Sequence, residues 1–290
     1  MISKIVGFLV YLLRGSANRL APYAKQWYPK GLFINRPKKK SNLSLAHISA
    51  FTYGNSGDTV LPVTTKELFE FISKKKIRWN DFSVKEYPNH NSIKKYNRGN
   101  AIIIGGGGLF LKDTNKNDIS GWQWPINIQQ IRQIKKPLNL FAVGYNRFRE
   151  QPEFEPYFKE NINALVEKCN FFGLRNHGSI EALKEYLPKE LHQKLSFQPC
   201  TTTLISKIYP TLCNYDKKDD FIALNCAFDR ANYRFGENIC TILEQIADAM
   251  KQLVTLTQFP IRFYSHMYTD EAILPILKAK GVEFSIVKLE

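Results

Sequence analysis

From residue 43 onward, short apolar runs alternate with longer amphipathic stretches. Residues 45–51 form a compact run that predicts a strand. Leu61, Leu68, Phe69 and Ile72 then follow at helical spacing. Residues 101–104 predict a second buried strand, which opens into the four glycines Gly105, Gly106, Gly107 and Gly108. Residues 126–134 read as a helix and 138–143 as a strand ending at Gly144. A helix over 158–166 carries Phe158, Ile162, Leu165 and Val166 on one face, 171–174 is a strand, and 179–186 is a helix stopped by Pro188. A charged turn at 216–220 begins a second series. In it, strands at 221–226, 261–265 and 282–287 alternate with helices at 238–253 and 270–280. The first of these helices shows Ile239, Ile242, Leu243, Ile246, Met250 and Leu253 as a stripe of period 3.6.

Strand–helix alternation in both series predicts two Rossmann-like α/β domains with largely parallel sheets. The expected division is a basic N-terminal helix and linker over 1–42, an α/β domain over 43–212, and a C-terminal α/β domain over 213–290. Ligands in such sheets sit at the carboxyl ends of the strands. Every loop with candidate chemistry in this chain follows a strand.

Charge adds an asymmetry. Residues 1–100 hold 18 Lys and Arg against 5 Asp and Glu, whereas 101–290 hold 23 against 21. A basic N-terminal third suits an anionic partner, although soluble enzymes also carry such surfaces without one. Residues 5–13 are mostly apolar and are followed by Arg14, Arg19 and further cations. The run is too short to span a bilayer, and it fits either a helix lying on an anionic membrane or one packed on the protein body. Five cysteines, with no Cys-x-x-Cys pair, argue against a disulfide framework or zinc site and point to a reducing cytoplasm.

Five loops carry candidate chemistry. In Gly54-Asn55-Ser56-Gly57-Asp58 the glycines permit close backbone approach, and Asp58 either caps the next helix or holds a hydroxyl. Gly105 to Gly108 is neither G-x-G-x-x-G nor a P-loop, and it serves either a ligand or close packing. Arg175, at a strand end before His177 and Ser179, is placed to take phosphate or carboxylate through two hydrogen bonds. Ser179 is a candidate helix cap. Asn225, Asp229 and Arg230 share a fourth loop, as ligand groups or as a local ion pair. His266 and Asp270 lie in the fifth. Metal-ligand spacing, a G-x-S-x-G elbow and a recognisable Cys–His pair are all missing, so no metal or cofactor is expected.

Taken in order, these loops resemble the polysaccharide pyruvyltransferase family. The likeness rests on Gly54 to Asp58, Ile103 to Gly107, Gly173 to Ser179, Gln198-Pro199-Cys200-Thr201-Thr202-Thr203, and Asn225 to Arg230, over roughly residues 45 to 290. It implies a GT-B-like pair of domains and transfer of a pyruvyl group from phosphoenolpyruvate to sugar hydroxyls of a surface polysaccharide. Arg175 and Asp58 are then the expected catalytic residues. Gly54, Asn55, Gly57, Gly105, Gly106, Gly107, Asn225, Asp229 and Arg230 are the expected binding residues. The expected partners are phosphoenolpyruvate, a saccharide and an anionic membrane surface at the inner face of the membrane, and not a nucleic acid. The resemblance also implies a strand-end arginine and histidine beyond the last strand, and no equivalent occurs before Glu290. The second domain is therefore expected to be incomplete, and the chain a fragment or an inactive remnant. The rival readings are a GT-B glycosyltransferase using a nucleotide sugar, and a non-catalytic module binding glycans or membranes.

Overall fold

The computed structural model describes residues 40–51, 55–148, 150–208 and 219–288. The N-terminal helix read over 1–42 lies almost wholly outside the described residues, and Gly54 lies outside them too. The described residues form two compact units. One holds most of 40–208, and the other holds 219–288 with residues 55–57, 148 and 150–151.

The first unit runs β1 (Lys40–Ser49), α1 (Ser56–Ser73), β2 (Lys76–Ser83), α2 (His90–Tyr96), β3 (Ala101–Phe110), α3 (Ile128–Gln133), β4 (Leu138–Tyr145), α4 (Pro156–Lys168), β5 (Phe171–Leu174), α5 (His177–Lys184) and β6 (Leu195–Phe197). Its six strands are all parallel, in the order β2-β1-β3-β4-β5-β6. The chain moves outward from β1 to β2, then passes back over β1 to lay down β3. Right-handed crossovers on either side of that reversal send helices to opposite faces. The two faces are visible in the packing. Ala46, Ile48, Ile102, Ile104 and Leu140 join the main core, while Leu45, Ile77 and Ile103 pack with Phe69 of α1. The reversal point, between the carboxyl ends of β1 and β3, is where open parallel sheets form a crevice.

Aromatic side chains fill the main core. Phe110 and Phe172 stack with ring centroids 6.1 Å apart, and Trp122, Trp124 and Phe158 are fully buried beside them. Asn161 of α4 accepts from Trp122 Nε1 at 3.0 Å and donates to the Ile126 carbonyl at 2.6 Å. This pins the long β3–α3 connection onto α4. The α4 stripe of Phe158, Ile162, Leu165 and Val166 is buried as its spacing predicts, with Pro156 starting the helix where no amide hydrogen is needed.

Three expectations change in this unit. β1 begins at Lys40, earlier than the apolar run suggests. β3 does not stop at Ile104; strand pairing continues through the glycines to Phe110, with a register shift after Gly107. The α5 cap is Asn176, whose side chain accepts from the Ser179 amide at 2.7 Å, and not Ser179. The Ser179 hydroxyl instead accepts from the Tyr145 amide at 3.0 Å, tying α5 to β4. β4 also carries an irregularity, between Leu140 and Val143, where the buried Ala142 has φ 55.

The second unit has three parallel strands in the order β7-β8-β9: β7 (Ile222–Leu224), β8 (Ile261–Ser265) and β9 (Phe284–Lys288). Helices α6 (Ile239–Thr257) and α7 (Leu274–Ala279) cover it. Ile239, Leu243, Ile246 and Met250 of the α6 stripe pack in the core as read, whereas Ile242 is not part of it and Leu253 is exposed, with Val254 packing in its place. Asp270 is buried and accepts from the amides of Phe228, His266 and Met267, which ties the loop after β8 to the loop after β7.

Candidate active site

In the first unit, the carboxyl ends of β3, β4 and β5 bring Gly105 to Gly108, Gly144 to Asn146, and Arg175 together. The glycines divide by physical role. Gly105 faces a close strand, since a Cβ there would come within 2.5 Å of the Phe141 carbonyl oxygen. Gly106 and Gly107 have φ of 87° and 100°, which side-chain-bearing residues rarely adopt. Gly108 and Gly144 vacate space, because a Cβ at either would collide with the Asn146 amide or the Arg175 guanidinium.

Arg175 occupies that space. Its Nη2 donates to Asn146 Oδ1 at 2.9 Å, and its backbone amide donates to the Val143 carbonyl at 3.0 Å. Burial pushes the guanidinium pKa down, partly opposed by the nearby Cys200 thiol. Among the described residues no carboxylate pairs with it. A half-buried cation held by a neutral amide lacks the anion that would offset its desolvation.

Asp58 lies on the other side of the glycine segment. The helix starts at Ser56, so Asp58 sits in its first turn, and the cap is Asn55, whose Oδ1 accepts from the Gly57 amide at 2.9 Å. The Asp58 carboxylate lies 3.9 Å from where a Gly107 Cβ would stand. Asp58 and Arg175 thus flank successive glycines. The Cys200 to Thr203 turn closes the row, with Thr201 Oγ1 buried 2.8 Å from Thr64 Oγ1 of α1.

Asn225, Asp229 and Arg230 belong to the second unit. Asn225 Nδ2 donates to the Tyr264 carbonyl at 2.7 Å, bridging adjacent strand ends. The Asp229 carboxylate accepts from Arg230 at 2.7 Å and Arg234 at 2.9 Å, the local ion pair foreseen as one of two readings. An open cavity of about 580 Å³ lies beside them, lined by Asn225, Tyr233, Arg234, Phe235 and Ile246.

Sequence reasoning missed Asn146, Gly144, His47 and Asp81. A signal for Asn146 did exist, because Val143-Gly144-Tyr145-Asn146 places an amide just past a strand end, as at the other loops. Among the described residues no group of three or more His, Cys, Asp or Glu is arranged to hold a metal ion.

The family model for polysaccharide pyruvyl transferase matches residues 55–285. The chain belongs to that family. The matched span of this polysaccharide pyruvyl transferase family member includes the glycine strand and Arg175. Two solved structures are similar to it. The UDP-GlcNAc 2-epimerase from Methanocaldococcus jannaschii has 14% identity, covering 86% of this chain and 73% of that one, with a TM-score of 0.44. The UDP-N-acetylglucosamine 2-epimerase from Rickettsia bellii has 13% identity, covering 86% and 68%, with a TM-score of 0.44. No curated protein matches the chain.

Proposed function

We propose that this protein transfers the pyruvyl group of phosphoenolpyruvate onto two hydroxyls of a saccharide, with Arg175 holding the donor. One observation carries the reading: Arg175 is a half-buried guanidinium, seated over Gly108 and Gly144, with no carboxylate among the described residues to offset it. A ligand bearing both a phosphate and a carboxylate supplies that missing charge, and two parallel N–H bonds to either group suit the guanidinium fork.

The chemistry balances as follows. A proton adds to the methylene carbon of the enol, and one sugar hydroxyl adds to the central carbon and releases its proton. Phosphate then leaves with the C–O bonding pair, and a second hydroxyl takes its place and releases its own proton. The product is a ketal carrying a methyl and a carboxylate. Arg175 stabilises negative charge on the departing phosphate, and Asp58, above Gly107, accepts a hydroxyl proton. Gly106 and Gly107 bring main chain close to the ligand without side chains in the way.

The test is calorimetric titration with phosphoenolpyruvate and, in parallel, with uridine diphosphate, followed by phosphate release with galactose- and mannose-type acceptors. Binding of phosphoenolpyruvate that is lost in Arg175→Ala supports the reading. Binding of uridine diphosphate alone would replace it with nucleotide-sugar transfer. The basic residues 1–39 support a location at an anionic membrane surface, and no described helix is long and apolar enough to cross a membrane. Failure of the full chain to float with phosphatidylglycerol vesicles would refute that location, and flotation that persists after deletion of residues 1–39 would refute their role in it.

A further inference from the structure

His47 lies two positions before Ser49 on β1, on the face that α1 covers, and is fully buried. Its Nε2 is 3.3 Å from the carbonyl oxygen of Gly105. A carbonyl only accepts, so Nε2 carries the hydrogen and Nδ1 is left as a bare lone pair. Nδ1 faces Asp81 Oδ1 at 4.0 Å, on the residue paired with His47 across the β1–β2 register. The other Asp81 oxygen accepts from Lys66 Nζ of α1 at 2.6 Å. Neither Nδ1 nor Oδ1 has a hydrogen-bond partner among the described residues. Phe51 and Trp79 wall the ring, with centroids at 5.5 Å and 5.7 Å. Burial first, and the Lys66 cation second, hold the imidazole neutral and press its pKa down to about 3. The ring is therefore fixed in one tautomer with one task.

That task falls at a sensitive place. Register pairing between β1 and β3 runs only as far as Ile48 opposite Ile104. The Gly105 carbonyl is the next oxygen along, and His47 bonds it from the α1 side. Immediately after it come Gly106 and Gly107 with their left-handed angles. Consecutive glycines resist rotation of a peptide plane only weakly, and with β4 pairing on one side, the His47 bond holds this plane on the side where β1 pairing has stopped.

We propose that His47 is a positioning residue for the ligand site: its Nε2–H holds the Gly105 carbonyl and so fixes the peptide from which Gly106, Gly107 and Gly108 run between Asp58 and Arg175. The proposal rests on the reading of those glycines as the floor of the donor site. The Gly105 carbonyl keeps the proton on Nε2, and the Asp81–Lys66 pair stands behind the ring.

The experiment compares His47→Leu with His47→Gln, whose amide reaches about as far as Nε2. Amide hydrogen exchange is read residue by residue, and phosphoenolpyruvate affinity by calorimetry. In His47→Leu, exchange at Gly106 to Gly108 is expected to rise about tenfold, with Leu140 and Phe172 unchanged, and phosphoenolpyruvate to bind about tenfold more weakly. His47→Gln restores both towards wild type. A glycine segment that exchanges at the wild-type rate in His47→Leu overturns the proposal. So does a uniform rise across all strands, which marks a merely structural residue, or a failure of glutamine to rescue. If the wild-type protein does not bind phosphoenolpyruvate, the proposed function fails on its own, and the exchange comparison still decides the role of His47.

Discussion

Replacing Gly144 with alanine separates the stability of the strand from the hold on the donor. A Cβ built on Gly144 falls onto Arg175, with Cζ at 2.5 Å and Nη2 at 2.7 Å, where carbon contacts normally stay beyond about 3.5 Å. The backbone itself accepts alanine, because Gly144 is not among the left-handed residues. Alanine therefore stabilises by about 0.4–1 kcal/mol through the unfolded chain. Against this, the guanidinium must leave and give up its bond to Asn146, a charged hydrogen bond worth about 1.5–3 kcal/mol. Part of that loss returns as the cation regains water. The two sides nearly cancel, so the melting temperature is expected to move by only about 2–4 °C. Donor affinity has no such compensation. Losing one charge-assisted hydrogen bond to the ligand weakens phosphoenolpyruvate roughly tenfold to hundredfold. Calorimetry beside a thermal melt reads both quantities. Affinity within twofold of wild type, with an unchanged melt, would show that Arg175 does not hold the donor from its seat over Gly144.

Other outcomes follow from the same geometry. Asn161→Leu removes the bonds to Trp122 and Ile126 and leaves two buried groups unsatisfied, at a cost of about 2–4 kcal/mol in a urea melt. Asp270→Ala orphans the amides of Phe228, His266 and Met267, and is expected to speed exchange throughout β7 to β9 while β1 to β6 keep wild-type rates. His47 has a folded pKa far below its unfolded value of 6.5, so its contribution to stability is complete above pH 6.5 and is lost as pH falls toward 3. Between those limits wild type loses up to about 1.4 kcal/mol per pH unit that His47→Gln does not, as stability curves at pH 4, 5 and 6 would show. Asp81, whose carboxyl is pushed up by burial, has the opposite sign above pH 3.8, and the Lys66 cation faces both; the mutant difference isolates the histidine.

The legibility of the fold in the sequence followed from burial. β3, β4 and β5 are buried on both faces, and their runs of apolar residues stand out. β2 escaped notice because it is an edge strand, and Lys-Ile-Arg-Trp-Asn-Asp-Phe-Ser alternates polar residues into water after a run of lysines. Losing β2 hid Asp81, and with it the reason for a buried His47 and for a lysine at position 66 that reads as an ordinary solvated helix residue. Trp122 and Trp124 lie in an irregular connection with no periodicity, so nothing local announces that they are core. Arg175 was legible because a cation at a strand end has a consistent geometric meaning. Its seat was not, since Gly144 and Asn146 meet it across about thirty residues of chain.

Ala142 and Gly144 show what governs glycine in β4. Ala142 holds a backbone angle of 55° that suits glycine, and Gly144, two residues on, holds an ordinary one that alanine would accept. At position 142 glycine relieves about 1–2 kcal/mol of backbone strain, set against the loss of about 0.8 kcal/mol from an unburied methyl. Position 142 is therefore open to mutational drift, while 144 is closed for the sake of a neighbour's charge. A glycine in this strand marks room reserved for another side chain, and glycine content alone is a poor gauge of how freely the strand bends.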